Sequence, residues 1–269
     1  MPKVRAGDID MYYEVHGEGE PLVMIQGLGT DISGWALQVA PLSERYRVVL
    51  FDNRGVGRSD TPEPPYSVAK MTDDTVALID ALGIDRAHVL GLSLGGMVAQ
   101  ELAVRMPQRL KSLVLVSTAS RFPPLTRHTL QVWLRMAEEG ACLETRLREM
   151  FSWWFTDRFF EKEKWVAAVL NVFLGNPHPQ PVQCYRGQIA ACLEYDSSDC
   201  PGQIAVPALV VAGRKDILVP CGLSQQLADG IPGSELAFLE GAGHAMHAEI
   251  PDEFNRVVLD FLGRVTGRG

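Results

Sequence analysis

Three residues of this chain have the types needed for acyl transfer: Ser93, Asp216 and His244. Ser93 sits in Gly91-Leu92-Ser93-Leu94-Gly95, a G-x-S-x-G pattern. Val89 to Leu92 reads as a buried strand and Met97 to Met106 as a helix, so the serine falls on a direct strand-to-helix turn. Such a turn brings the residues two before and two after the serine together, and a Cβ on either would crowd it. The serine backbone is expected to be strained, which lifts Oγ clear of the sheet edge. Gly96 is expected to let the helix pack close to the strand. The helix N-terminus then aims free N–H groups and its positive dipole end at whatever bonds to Ser93.

A serine hydroxyl needs a base, and the base needs orienting. Gly213-Arg214-Lys215-Asp216 follows the apolar run Ala208 to Ala212, and Gly241-Ala242-Gly243-His244 follows the run Leu236 to Leu239. Each polar residue is therefore expected at the carboxyl end of a strand. In a parallel sheet those ends share one edge, so the three can converge. Ser93 would attack, and His244 would serve as general base and later as acid. Asp216 would set the imidazole tautomer and stabilise its cation.

The elements that must position these groups follow from periodicity. Lys3 to Ala6 and Asp10 to His16 read as an antiparallel pair across a Gly7-Asp8 turn. Leu22 to Ile25, Val48 to Phe51 and Leu113 to Val116 are continuous apolar runs of the buried, parallel kind. Val68, Met71, Thr75, Leu78, Ile79 and Leu82 keep helical spacing, closed by Gly83. Strand–helix alternation predicts a mainly parallel sheet with helices on both faces. Between Arg121 and Asp199 the strand-like runs vanish. Helical segments rich in Trp, Phe, Arg and Glu replace them, at Leu130–Glu139, Leu143–Phe155 and Phe159–Leu174, with a further one through Leu193. The expected division is a core of residues 1–120 and 200–269 with an inserted helical lid of residues 121–199.

Composition narrows the function classes. The 269 residues suffice for one large α/β domain with an insertion. A formal net charge of −8 argues against a general affinity for nucleic acid or for anionic membrane. No apolar run approaches bilayer length and no signal peptide is visible, so a cytoplasmic location is expected. The five cysteines show no paired spacing and read as ordinary thiols of a reducing compartment. The expected partner is a small-molecule substrate, with the chain a monomer or homodimer.

The whole chain resembles the α/β-hydrolase superfamily. Asp52-Asn53-Arg54-Gly55-Val56-Gly57-Arg58-Ser59, the Ser93 elbow with Gly96, Gly213-Arg214-Lys215-Asp216, and Gly243-His244 with Glu249 and Pro251 carry the likeness. The order Ser…Asp…His is that of the superfamily. Within it the chain is most similar to small cofactor-free hydrolases of the 3-oxoadipate enol-lactonase and aminoacrylate-hydrolase type, with Gly27-Leu28-Gly29-Thr30-Asp31 and Trp35 in support. The resemblance implies an eight-stranded α/β-hydrolase fold and no cofactor. It also implies an oxyanion hole made by the backbone N–H groups of Leu28 and Leu94. Gln26-Gly27 stands where the family usually has His-Gly. Because the donors are backbone groups, that change need not remove the hole, and Gln26 can hold the loop through its side chain. Members that place the acid after the preceding strand need a carboxylate near 117–120, where this chain has Ser117-Thr118-Ala119-Ser120. That leaves Asp216.

Other polar residues have plainer explanations. His244 and His247 have metal-like spacing, but on a loop and with no third ligand nearby. His16 and His88 fall on strands and read as structural, and Asp52 and Arg54 as turn stabilisers. Candidate substrate contacts are Gly27 and the aromatic cluster around Phe151, Trp153, Trp154 and Phe155, with Trp153 and Trp154 foremost. The lid arginines alternate with acidic residues, which predicts pairing on the surface and a short, uncharged ester or lactone as substrate. A serine at the elbow argues against the dehalogenase and epoxide-hydrolase branches, which carry aspartate there. An enol-lactonase, a carbon–carbon bond hydrolase, a cofactor-free haloperoxidase or perhydrolase, and a ligand receptor on the same scaffold are the competing readings.

Overall fold

In the computed structural model, which describes residues 2–267, the apolar runs form one eight-stranded sheet. The strands are β1 (Lys3–Ala6), β2 (Ile9–His16), β3 (Glu20–Ile25), β4 (Tyr46–Phe51), β5 (Ala87–Leu92), β6 (Leu110–Val116), β7 (Ala208–Gly213) and β8 (Glu235–Leu239). Their order is β1-β2-β4-β3-β5-β6-β7-β8. β1 and β2 are antiparallel, β2 meets β4 antiparallel, and every later pairing is parallel. The carboxyl ends of β3 and β5 through β8 therefore lie along one edge.

Alternation along the central strands divides the core into two layers. Val23, Ile25, Val89, Leu113, Leu115 and Val210 face one side. They meet α2 (Val68–Ala81), α3 (Leu94–Arg105) and α9 (Cys221–Gly230). Leu22, Met24, Leu90, Val114, Val116 and Val211 face the other. There they meet α1 (Ala36–Ser43) and α11 (Pro251–Val265), with the short α10 (Met246–Glu249) leading into α11. Ser67 caps α2 by accepting the Lys70 N–H at 3.1 Å, and Gly83 takes the positive φ of 66° that follows its end.

Between β6 and β7 the chain leaves the sheet. It forms α4 (Pro124–Glu138), α5 (Leu143–Trp154), α6 (Asp157–Phe160), α7 (Glu163–Leu174) and α8 (Val182–Glu194). The long helix expected over Phe159–Leu174 is in fact two. Lys162, at φ −100° and ψ 68°, leaves the helical region and turns the chain between α6 and α7. Apolar periodicity is blind to such a break because Phe159 and Leu170 are buried in the same small lid core on either side of it. α1, with Pro41 inside it and a weakly amphipathic sequence, was not expected from periodicity. Its place between β3 and β4 completes the alternation of strands and helices.

No helix among the described residues is long and apolar enough to cross a membrane. The five cysteines are free thiols, with Cys184 and Cys192 buried. His88 is buried between Ser112 Oγ at 2.8 Å and Glu20 Oε2 at 3.0 Å, and burial lowers its pKa. It belongs to the scaffold, as does His16 beside Glu14 at 2.9 Å.

Candidate active site

The turn after β5 has the expected strain. Ser93 stands at φ 54° and ψ −115°, directly before the first residue of α3. A Cβ on Gly91 would lie 2.2 Å from the Gly95 carbonyl oxygen, and one on Gly95 would lie 2.2 Å from that of Ile25. Larger residues would force the elbow open. A Cβ on Gly96 would lie 2.6 Å from the side chain of Thr118, so α3 approaches the end of β6 through that glycine. The Thr118 hydroxyl donates to the Ser93 carbonyl at 2.8 Å and fixes the elbow from below.

Asp216 and His244 are brought together as the strand ends require. His244 Nδ1 and Asp216 Oδ2 are 2.8 Å apart, with both side chains buried. A carboxylate can only accept, so Nδ1 carries the proton and Nε2 is left as the basic nitrogen. The other carboxylate oxygen, Oδ1, accepts the Leu218 and Val219 N–H groups at 2.9 and 2.8 Å. These bonds hold the carboxylate plane in place.

The His244 loop is gripped from three directions. Ser117 Oγ donates to the His244 carbonyl at 2.8 Å. Glu249 Oε2 accepts the Gly243 N–H at 2.8 Å, while its Oε1 accepts the Thr156 N–H at 3.1 Å and the Thr156 hydroxyl. The Trp154 carbonyl accepts the Ala245 N–H at 2.9 Å. Thr156 and Trp154 belong to the lid, so lid and histidine loop share hydrogen bonds.

The loop after β3 has its own set of ties. Gly27 N–H donates to Gln26 Oε1 at 2.8 Å, Gly29 N–H to Gln188 Oε1 at 3.0 Å, and Ile32 N–H to Asp52 Oδ1 at 2.9 Å. Asn53 Nδ2 holds the Gln26 carbonyl at 3.0 Å. Leu28 N–H has no protein acceptor among the described residues. Leu94, first in α3, likewise has no intrahelical acceptor for its N–H. The Gln26 side chain thus folds back on its own loop as expected, although its Nε2 stays buried without a partner. Asp52 and Arg54 stabilise turns. Asp52 accepts from Ile32 and Arg58, and burial pushes its carboxyl up to about 6. Arg54 is buried against Asp74, at 2.6 Å, and Asp8.

Ser93, His244, Gly27 and Leu28 line one cavity of about 220 Å³ between the sheet edge and the lid. Its walls are largely apolar and include Trp133, Trp154, Phe155, Trp165 and Phe173. None of the described residues lining it is Asp, Glu, Lys or Arg. A Cβ on Gly27 would lie 3.3 Å from that of Ser93, so glycine keeps space beside the hydroxyl. Trp153, expected beside Trp154 as a substrate contact, does not line the cavity. Its indole N–H donates to Glu149 at 3.1 Å, one turn back on α5. Adjacent helical residues point about 100° apart, so one of the pair had to turn away. Four of the seven lid arginines are ion-paired outside the cavity, Arg121 with Asp196, Arg135 with Glu139, Arg148 with Glu144 and Arg186 with Glu138, and none of the seven lines it. His247 lines the cavity as a buried, neutral ring 5.2 Å from that of Trp35. Burial, then the nearby His244, lowers its pKa to about 3.

Trp133 and Trp165, lid aromatics of the kind expected to close an apolar pocket, do line the cavity, and Val169, Val172 and Phe173 extend the Trp165 wall without having been expected there. Their spacing on α7 is an apolar stripe that could have drawn attention. Gln188 carried no such signal, because its partners lie 159 and 134 residues away.

The family model of the alpha/beta hydrolase fold matches residues 20–251. The chain belongs to the α/β-hydrolase family. It is 33% identical to a putative carbamate hydrolase RutD of Azorhizobium caulinodans, over 98% of this chain and 99% of the relative. A solved enol-lactonase from Burkholderia xenovorans LB400 superposes with a TM-score of 0.87 at 32% identity, covering 97% of this chain and 99% of that one. Est816, described as an N-acyl homoserine lactone degrading enzyme, superposes with a TM-score of 0.84 at 30% identity, covering 97% and 100%. The small-hydrolase type expected from the motifs is thus matched over the full length. The enzyme is a hydrolase.

Proposed function

We propose that this hydrolase cleaves a small, uncharged carboxylic ester or lactone through an acyl-enzyme on Ser93. The observation that carries the reading is one apolar cavity holding Ser93 and the Asp216-bonded His244, with no charged side chain in its described wall. Ser93 Oγ attacks the carbonyl carbon as His244 Nε2 takes its proton. The resulting oxyanion is received by the N–H groups of Leu28 and Leu94. Collapse of the tetrahedral adduct breaks the ester bond, and His244 returns the proton to the leaving oxygen. Water, deprotonated by His244, then releases the acid and restores Ser93. An unpaired carboxylate in this cavity would lose its hydration with nothing to replace it. A neutral substrate is therefore favoured over a carboxylated lactone.

The test is a chain-length series of p-nitrophenyl esters beside neutral lactones and their carboxylated analogues. Ser93→Ala is expected to lower kcat by roughly 10⁴–10⁶-fold with the fold intact. A fluorophosphonate is expected to label Ser93. Near-wild-type turnover by Ser93→Ala, or labelling of another residue, would end the serine-hydrolase reading. A hundredfold preference for a carboxylated lactone would overturn the neutral-substrate reading. Full-length similarity to putative carbamate hydrolases supports a second reading, a small carbamate, whose carbonyl would meet the same groups. Faster turnover of an N-unsubstituted carbamate than of any ester would select it.

A further inference from the structure

We infer that Gln188, a lid residue, is a positioning residue for the oxyanion hole. The inference rests on the proposed acyl-transfer reaction. Gln188 lies on α8 and is fully buried. Its Oε1 accepts the Gly29 N–H at 3.0 Å and its Nε2 donates to the Arg54 carbonyl at 3.1 Å. An N–H on one side and a C=O on the other leave a single orientation for the amide. Both partners are backbone groups of the core. One is the residue after Leu28, and the other belongs to the turn after β4.

The consequence for Leu28 follows from the chain geometry. Gly29 stands at φ 71°, the left-handed conformation that turns the loop back on itself. The Leu28–Gly29 peptide plane is set by the direction of the Gly29 N–H. The Gln26–Gly27 plane is set by the Gly27 N–H on Gln26 Oε1 and by Asn53 on the Gln26 carbonyl, and the Gly27–Leu28 plane that carries the Leu28 N–H lies between the two. Leu28 N–H, the free donor, sits between two fixed neighbours, one of them held by the lid. Arg54 cannot yield in response, because its guanidinium is buried against Asp74 and Asp8. Gln188 thus braces the loop against a rigid part of the core, and the lid takes part in shaping the hole.

Hydrogen-bond donors act in catalysis through their aim at the developing oxyanion. Loss of the brace is therefore expected to affect the transition state more than substrate binding. Gln188→Leu removes both bonds at similar size. The expected result is a kcat lowered roughly ten- to a hundredfold, with KM within about threefold. Affinity for butylboronic acid, which forms a tetrahedral adduct on the serine, should fall in parallel with kcat/KM. Gln188→Glu, kept as the neutral acid by full burial, retains an oxygen for the Gly29 N–H and an O–H for the Arg54 carbonyl, and is expected to restore most of the lost rate. Gln188→Met, which also loses both hydrogen bonds but keeps the unbranched shape, is read on the same criteria if Gln188→Leu does not fold. Unchanged kcat in a folded Gln188→Leu would overturn the inference. So would a rise in KM that accounts for the whole loss, or equal activity of the Leu and Glu variants below wild type. Failure of the underlying reaction is separately visible, as active Ser93→Ala or as wild-type enzyme whose Ser93 is not labelled by fluorophosphonate.

Discussion

The Trp154 carbonyl accepts the Ala245 N–H at 2.9 Å, so the last residue of α5 is hydrogen-bonded to the residue after His244. A Cβ on Gly243 would lie 2.7 Å from the same carbonyl oxygen. The lid end thus meets the histidine loop at both residues that flank His244 in sequence. Substitutions in either segment should therefore be felt at the site.

Asp216→Asn is expected to lower kcat by roughly 10²–10⁴-fold with little change in stability. The amide can present its N–H₂ to Nδ1 and so favour the wrong imidazole tautomer. Steady-state kinetics beside a thermal melt checks this. A loss below threefold would show that Asp216 does not orient His244.

Glu249→Gln preserves size but turns one acceptor into a donor. An N–H₂ would then face the Gly243 N–H or the Thr156 N–H. The expected cost is roughly 1–3 kcal/mol of stability, because a buried donor loses its partner. A lower kcat should accompany it. Urea denaturation and ester kinetics on the same preparation read both quantities. Wild-type values of both would mean that Ser117 and Trp154 suffice to hold the loop.

His247 titrates in the folded chain near 3, well below the ordinary histidine value, because it is buried. Between pH 6.5 and 3 the unfolded chain therefore holds more protons at this position than the folded chain. Its neutral form contributes stability that is complete above about pH 6.5 and is lost as pH falls. His247→Phe removes that dependence. Between pH 7 and pH 5 the stability of the variant should improve relative to wild type by about 2 kcal/mol. Urea midpoints at the two pH values test it, and parallel changes in both proteins would refute it.

Leu37 on α1 and Val172 on α7 line the cavity and are also 37% and 53% exposed. They mark an apolar mouth between core and lid. A longer acyl chain can run out through it and still cover apolar surface. Val172→Asp should lower kcat/KM for an octanoate ester at least about tenfold relative to an acetate ester. An unchanged octanoate-to-acetate ratio would place the chain elsewhere.

Much of this was legible in the residues alone, for a definite reason. Ser93, Asp216 and His244 each follow a strand whose apolar run is unmistakable, and a parallel sheet converts that position into proximity. The strained serine could be read from Gly91 and Gly95, since the turn tolerates no Cβ there. Legibility ended where a partner comes from a distant segment or where one helical turn decides the facing direction. Gln188, and the Thr156 contact of Glu249 across 93 residues, are of the first kind. Trp153 against Trp154, and the break at Lys162, are of the second. Glu249 was visible as part of a motif, but its two-sided grip needs Thr156, which approaches only in the fold.

The helices over the cavity differ in their attachments. α5 ends in the backbone bond to Ala245, whereas α7 packs on α5 and α6, and Leu170 is its one buried residue. The cover is thus a bracket and a shutter. The bracket is tied to the histidine loop by a backbone hydrogen bond. The shutter, with Val172 at its outer edge, meets that loop only through apolar packing, since Leu170 and Ala245 share one buried cluster. The same small core thus serves as the seat of the cover and as the backstop of the residue after His244.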